Sequence, residues 1–210
     1  MAERPILFNG EMVREILAGR KTQTRRPVRP GRRVPDGWSG DVDMWALGPD
    51  GRWDAGCRTD GGGSATMLRG VTCPFGAPGD TLWVRETWAP AGVVGDGLEY
   101  RADNADPLSG RWTPSIHMPR WASRLTLRVT DVRVECVQDI SEEDAGREGF
   151  NRDQTVGGYT EPWRSARDKF ADAWTGVYGA DSWDTNPWVW VVCFDVSRAS
   201  EVLPAWRQCI

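Results

Sequence analysis

The sequence predicts an α+β fold, a small mixed β-barrel with flanking helices and two long insertions. Three observations lead there. Several short stretches alternate apolar and polar residues with the period of a strand. Two or three others repeat with the period of a helix. The two kinds do not alternate strictly along the chain. A length of 210 residues suits a single domain with a real core.

Taken in order, PILF (5–8) reads as a short strand. Asn9 is placed to cap a helix over Gly10–Ala18, where Met12, Val13, Ile16 and Leu17 share one face, and Gly19 stops it. Residues 27–66 are rich in Pro, Gly, Asp and Trp and read as irregular, so a first insertion spans about 27–77. The segment APGDTLWVRETWA turns at Pro78-Gly79-Asp80 and enters a strand, with Leu82 and Val84 on one side and Trp83 and Arg85 on the other. A second insertion, about 89–121, holds a short strand at LEYRA (98–102).

From Ser123 onward, Leu125, Leu127 and Val129, then Val132, Val134 and Cys136, alternate with polar residues. This predicts two strands, or one long bent strand broken at Thr130-Asp131. Ser141, with Asp144 or Glu143 near the third position, caps a short helix that ends at Gly149. Residues 161–178 carry an apolar stripe of Trp163, Ala166, Phe170, Ala173, Trp174 and Val177 and form a further helix. PWVWVVCFDV (187–196) is apolar on both faces, as a central strand would be.

Composition narrows the function classes. Apolar content is 40% and charged content 27%, as in ordinary globular proteins. No apolar run reaches the length of a membrane span, and MAERPILFNGEM has no signal-peptide pattern, so a cytoplasmic protein without membrane contact is expected. The 5 cysteines include no CxxC pair, which argues against a disulfide scaffold. Cys57, Cys73 and His117 match no zinc-ligand spacing, and GGG at 61–63 lacks the lysine and helix of a phosphate loop. Neither metal nor cofactor is expected.

Net charge is −4, which does not suggest a general polyanion binder. Charge is uneven, however. Residues 16–35 hold Arg20, Lys21, Arg25, Arg26, Arg29, Arg32 and Arg33 with no acidic residue, which reads either as a solvated loop or as a phosphate-facing patch. Only two of the 26 basic residues are lysines, Lys21 and Lys169. An arginine at position 21 would serve a phosphate equally well but could not act as a base near neutral pH. The 13 tryptophans mostly suit a core, with a few available to stack on a nucleobase.

GRKTQTRR after the first helix, PGDTLWVRE, the two-part strand leading to DISEEDAGREGF, and the closing PWVWVVCFDV together resemble the ASCH domain family. The likeness covers about residues 5–26, 78–88, 122–150 and 161–196. It implies a PUA-like β-barrel and a nucleoside, nucleotide or modified nucleic acid as partner. The long form, with SIHMPRWASR (115–124), resembles members carried by phages and prophages, which implies the host cytoplasm. The best-defined enzyme of the group hydrolyses N4-acetylcytidine and is about half as long. It uses a lysine, a threonine three residues later, and a glutamate ending the short helix. The matching positions here are Lys21, Thr24 and Glu148.

The resemblance thus implies amide hydrolysis with Thr24 as nucleophile, Lys21 as base and Glu148 as acid. A free lysine titrates at about 10.4, so a drop of about three units, about 4 kcal/mol, is needed. Burial and the like charges of Arg20, Arg25 and Arg26 act in that direction, whereas an ionised Glu148 acts against it unless the pair shares one proton. Arg26 is a candidate phosphate or oxyanion contact. Trp83, Arg85, Glu86, Tyr100, Trp112, Ser115, His117 and Arg124 are candidate substrate contacts. A non-catalytic reader of modified bases in RNA or DNA, and a ribonuclease, remain open alternatives.

Overall fold

The computed structural model describes residues 1–28, 44–49, 51–58, 64–91, 97–107, 110–150 and 164–198. The expectations for Arg29, Arg32, Arg33, Trp163, Cys209 and the glycines at 61–63 lie outside the described residues.

The fold is α+β and rich in sheet. Its centre is a five-stranded sheet of β1 (Glu3–Leu7), β6 (Thr81–Arg85), β9 (Leu125–Cys136), β10 (Trp188–Arg198) and β2 (Gln23–Pro27), in that spatial order. β1 runs parallel to β6, and every other pairing is antiparallel, so the sheet is mixed. It is not closed, because among the described residues no ladder joins β1 to β2. β10 lies between β9 and β2, the central place that its two apolar faces require. β9 is one long strand, and its register against β10 shifts between Cys193 and Phe194, opposite the Thr130-Asp131 break.

One face of the sheet builds the main core. Ile6, Leu82, Val84, Leu127, Val129, Trp190, Val192 and Phe194 pack there against Val13 and Ile16 of α1 (Gly10–Leu17). Asn9 caps α1, its side-chain oxygen accepting from the Met12 N–H at 2.8 Å. The other face is covered in part by α2 (Glu142–Arg147) and α3 (Ala166–Tyr178). There Val189 and Val191 meet Ala145, Phe170 and Trp174. Ser141 caps α2 through the Asp144 N–H at 3.0 Å, and Ser165 with Asp168 forms a capping box on α3.

The segment expected as a first insertion is more ordered than its composition suggests. It contributes β3 (Met44–Leu47), β4 (Trp53–Arg58) and β5 (Ser64–Val71), which form an antiparallel sheet of their own. Trp45 and Trp53 each place a ring edge-on to Trp190, with centroids 5.9 Å apart. Burial of these indoles holds the small sheet on the main core, a tertiary effect that local Pro and Gly content does not reveal. After β6 come β7 (Trp88–Pro90) paired with β8 (Leu98–Tyr100), then two 3-10 turns at Ser115–His117 and Arg120–Ala122. No described helix is long and apolar enough to cross a membrane.

Candidate functional site

Lys21 sits where three elements meet. The chain leaves α1 with the N–H groups of Arg20 and Lys21 both bonded to the Glu15 carbonyl, at 2.9 and 3.1 Å. The Thr22 N–H then bonds the Arg147 carbonyl at the end of α2 (2.8 Å), and the Phe194 N–H bonds the Thr22 carbonyl (2.9 Å). These tethers leave the Lys21 side chain 0% exposed. Gly149 allows the approach. Its φ is +99°, and a Cβ there would lie 3.0 Å from Glu15 Cβ and 3.5 Å from Lys21 Cβ.

The amine of Lys21 donates to Glu148 twice, to Oε2 at 2.6 Å and to the backbone carbonyl at 2.8 Å. Glu148, the residue that ends α2, is itself 5% exposed. Burial pushes the Lys21 amine below its ordinary pKa. Glu148 opposes that shift, while Arg26 and Arg25 add to it. Arg20 does not take part. It turns outward and binds the Glu15 carboxylate at 2.6 and 2.7 Å, which corrects the expectation that three arginines would repel the amine.

Alternation along β2 separates its side chains. Gln23 and Arg25 face α2 and α3. Thr24 and Arg26 face the main core, with Thr24 opposite Val192 in the β10 register. Thr24 is 2% exposed, and among the described residues its hydroxyl has no hydrogen-bond partner. Phe8 is the common landmark. The Lys21 amine lies 5.8 Å from its ring centroid and the Arg26 guanidinium 5.2 Å. No hydrogen bond joins Thr24 to Lys21 or Glu148. A cleft of about 500 Å³ between α1 and α3 is lined by Glu11, Arg14, Glu15, Glu148, Phe150 and Val177 among others, so Glu148 reaches it while Lys21 and Thr24 do not.

Sequence reasoning missed the charges behind Glu148. The Arg25 side chain is 0% exposed. Its Nη1 reaches Glu148 Oε1 at 3.5 Å, and its Nη2 binds Asp144 Oδ2 at 2.9 Å and Glu135 Oε2 at 3.1 Å. Arg133 holds the same two carboxylates from the other side, with Asp144 at 2.6 Å. Burial raises the Asp144 pKa, but the Arg25 hydrogen bond and the charges of Arg25 and Arg133 outweigh it, so the net shift is downward. The available signal was the alternation in DVRVE. It puts Arg133 and Glu135 on one face of β9, and β2 alternation puts Arg25 across from them.

The remaining candidates form two other groups. Arg124 forks onto the buried Glu86 carboxylate at 2.8 and 3.0 Å, binds Asp103, and lies 4.0 Å over the Tyr100 ring. Burial raises the Glu86 pKa despite Arg124, and pushes the Tyr100 phenol up to about 12. Glu86 and Arg124 therefore hold the segment that carries Tyr100 and Asp103 to the end of β6. On the outward face of β6, the Arg85 and Arg120 guanidinium carbons lie 5.5 and 5.9 Å from the Trp83 ring centroid. Arg85 also donates to the Ile116 carbonyl. Ser115 and His117 belong to the adjoining 3-10 turn, with His117 exposed, and Trp112 donates its indole N–H to the Ala105 carbonyl at 3.2 Å.

Comparisons with protein-family models, with curated proteins and with solved structures give no match.

Proposed function

We propose that the chain is a hydrolase of a modified nucleoside or base, acting on the amide of an N4-acylated cytidine, and that it is a PUA-like member of the ASCH family. The observation that carries this reading is the Lys21–Glu148 pair. A dry amine bonded at 2.6 Å to a dry carboxyl group can pass one proton back and forth between them. The family resemblance supplies the third group, Thr24, whose unpartnered hydroxyl lies on the face of β2 that carries Arg26, the residue packed over Phe8.

In this scheme neutral Lys21 takes the Thr24 hydroxyl proton as Thr24 Oγ1 attacks the acyl carbon. The carbon–nitrogen bond breaks, and the exocyclic amine leaves with a proton delivered by the Lys21–Glu148 pair. Water then attacks the acyl-threonine, releasing the carboxylic acid and restoring the hydroxyl. Arg26, stacked on Phe8, offers a guanidinium for the developing oxyanion.

The test is incubation with N4-acetylcytidine, free and within RNA, with acetate and cytidine read by mass spectrometry. Release by the parent protein is expected, with loss of about 100-fold or more in Lys21→Arg, Thr24→Ala and Glu148→Gln. A folded parent that releases no acetate from either form, or a Thr24→Ala variant that turns over at the parent rate, overturns the reading.

One observation favours a second reading, a non-catalytic reader of modified bases. The Lys21 ammonium is already satisfied by two oxygens of Glu148, as a structural ion pair would be. That reading expects Lys21→Arg to keep its affinity for a modified oligonucleotide, and expects no acetate. Shortening of unmodified RNA in the same incubation would instead mark a ribonuclease.

A further inference from the structure

Three side chains at this site follow from the family resemblance; a fourth, Arg25, was expected only as a nearby like charge, and the structure gives it a place beside Glu148 and Asp144. We propose that Arg25 is a positioning residue that sets how readily Lys21 gives up its proton, as a buried cation beside the Lys21–Glu148 pair whose charge Asp144 and Glu135 temper.

The geometry is that of two cations on one carboxylate. Lys21 Nζ holds Oε2 at 2.6 Å, and Arg25 Nη1 stands 3.5 Å from Oε1 while it donates to the Gln23 side-chain oxygen at 2.5 Å; side-chain exposures are 0% for both cations and 4% for Glu148. A guanidinium does not give up its proton in a protein, so the charge on Arg25 is permanent and only the Lys21 proton can move. Arg25 repels that proton from the amine and competes with the ammonium for Glu148. Its Nη2 is bonded to Asp144 and Glu135, at 2.9 and 3.1 Å. Those carboxylates temper Arg25 and are in turn shared with Arg133. From the other elements, Lys21 also feels Arg26 of β2 and the Glu15 carboxylate of α1, which is occupied by Arg20.

This arrangement gives a prediction of sign. Removing Arg25 should make Lys21 hold its proton to higher pH. Removing Asp144 should leave Arg25 less neutralised and make Lys21 give up its proton at lower pH. A residue that merely fills space would not produce opposite shifts. The consequence for catalysis rests on the hydrolase reading, but the Lys21 midpoint does not, and the two are tested separately.

The chain has two lysines, so lysine labelled with carbon-13 at Cε gives two signals, with Lys169 of α3 as internal reference. The full-length protein is titrated without substrate. In Arg25→Gln the Lys21 midpoint should rise by about one unit, and in Asp144→Asn it should fall by a smaller amount. No shift in either variant, or shifts of the same sign, overturns the proposal. If Arg25→Gln does not fold, Glu135→Gln replaces it. That variant should lower the midpoint as Asp144→Asn does, and an unmoved or raised midpoint overturns the proposal. Acetate release by the parent is assayed apart from this, so a chain that shifts as expected but hydrolyses nothing leaves Arg25 in place and removes only the hydrolase.

Discussion

Arg26 of β2 donates its Nη2 to the carbonyl of Leu7, the last residue of β1, at 2.6 Å. β2 and β1 are the two edges of the five-stranded sheet, so a side chain joins edges that no ladder joins. The same guanidinium lies over Phe8, beside the Lys21 amine. The clasp and the candidate site therefore share one side chain.

Arg26→Ala should release the two edges. It removes a charge-assisted hydrogen bond and a cation–π contact, together about 2 kcal/mol. Urea unfolding should show that loss, and amide exchange should speed up at residues 7 and 8 before it does in β9. Equal protection at residues 7 and 8 would mean that the edges hold without the clasp.

Gly149→Ala should disturb Lys21 without touching a charged group. The added methyl meets Glu15 Cβ at 3.0 Å and forces a side chain into a positive-φ conformation. The expected cost is about 1–3 kcal/mol, read by thermal or urea unfolding. A variant as stable as the parent would show that the α1–α2 contact is looser than described.

Breaking the buried pair from one side should be costly. Glu148→Gln leaves the buried Lys21 ammonium without its counter-charge, and Lys21→Met leaves the carboxylate to Arg25 alone. Each should lose about 3–5 kcal/mol. The double variant Lys21→Met/Glu148→Leu should regain much of that, because a well-packed apolar pair avoids the desolvation cost. A double-mutant cycle by urea unfolding measures the coupling, and simple additivity would contradict a direct pair.

Stability should respond to pH in two windows. The Lys21 pKa is lowered on folding, so between the lowered value and its ordinary value of about 10.4 the unfolded chain binds more protons. Stability rises with pH across that window and is complete above it. Asp144 is also lowered on folding, so its contribution is present above its ordinary value of about 3.9 and is lost as pH falls through the folded value. Urea midpoints across pH should show both trends, and Lys21→Met should flatten only the alkaline one.

Patterns confined to one segment could be read in the sequence. The α1 stripe, its Asn9 cap, the Ser141 cap and the bend in β9 all appear where local spacing puts them. The Lys21–Glu148 contact was anticipated only through resemblance, because the two residues are 127 apart and no spacing links them. Arg25 was legible only as a like charge near Lys21; its place beside Glu148 and the Asp144 and Arg133 charges around it depend on β2, β9 and α2 coming together, which alternation within one strand does not reveal. The three strands of the first insertion were hidden by Pro, Gly and Asp, which mark turns but say nothing of what lies between them.

Trp45 and Trp53 flank Trp190, a residue of the central strand that is only 2% exposed. β3 and β4 therefore belong to the main core rather than sitting beside it. Deleting them would leave the Trp190 indole facing water, so the shortened chain should aggregate rather than fold.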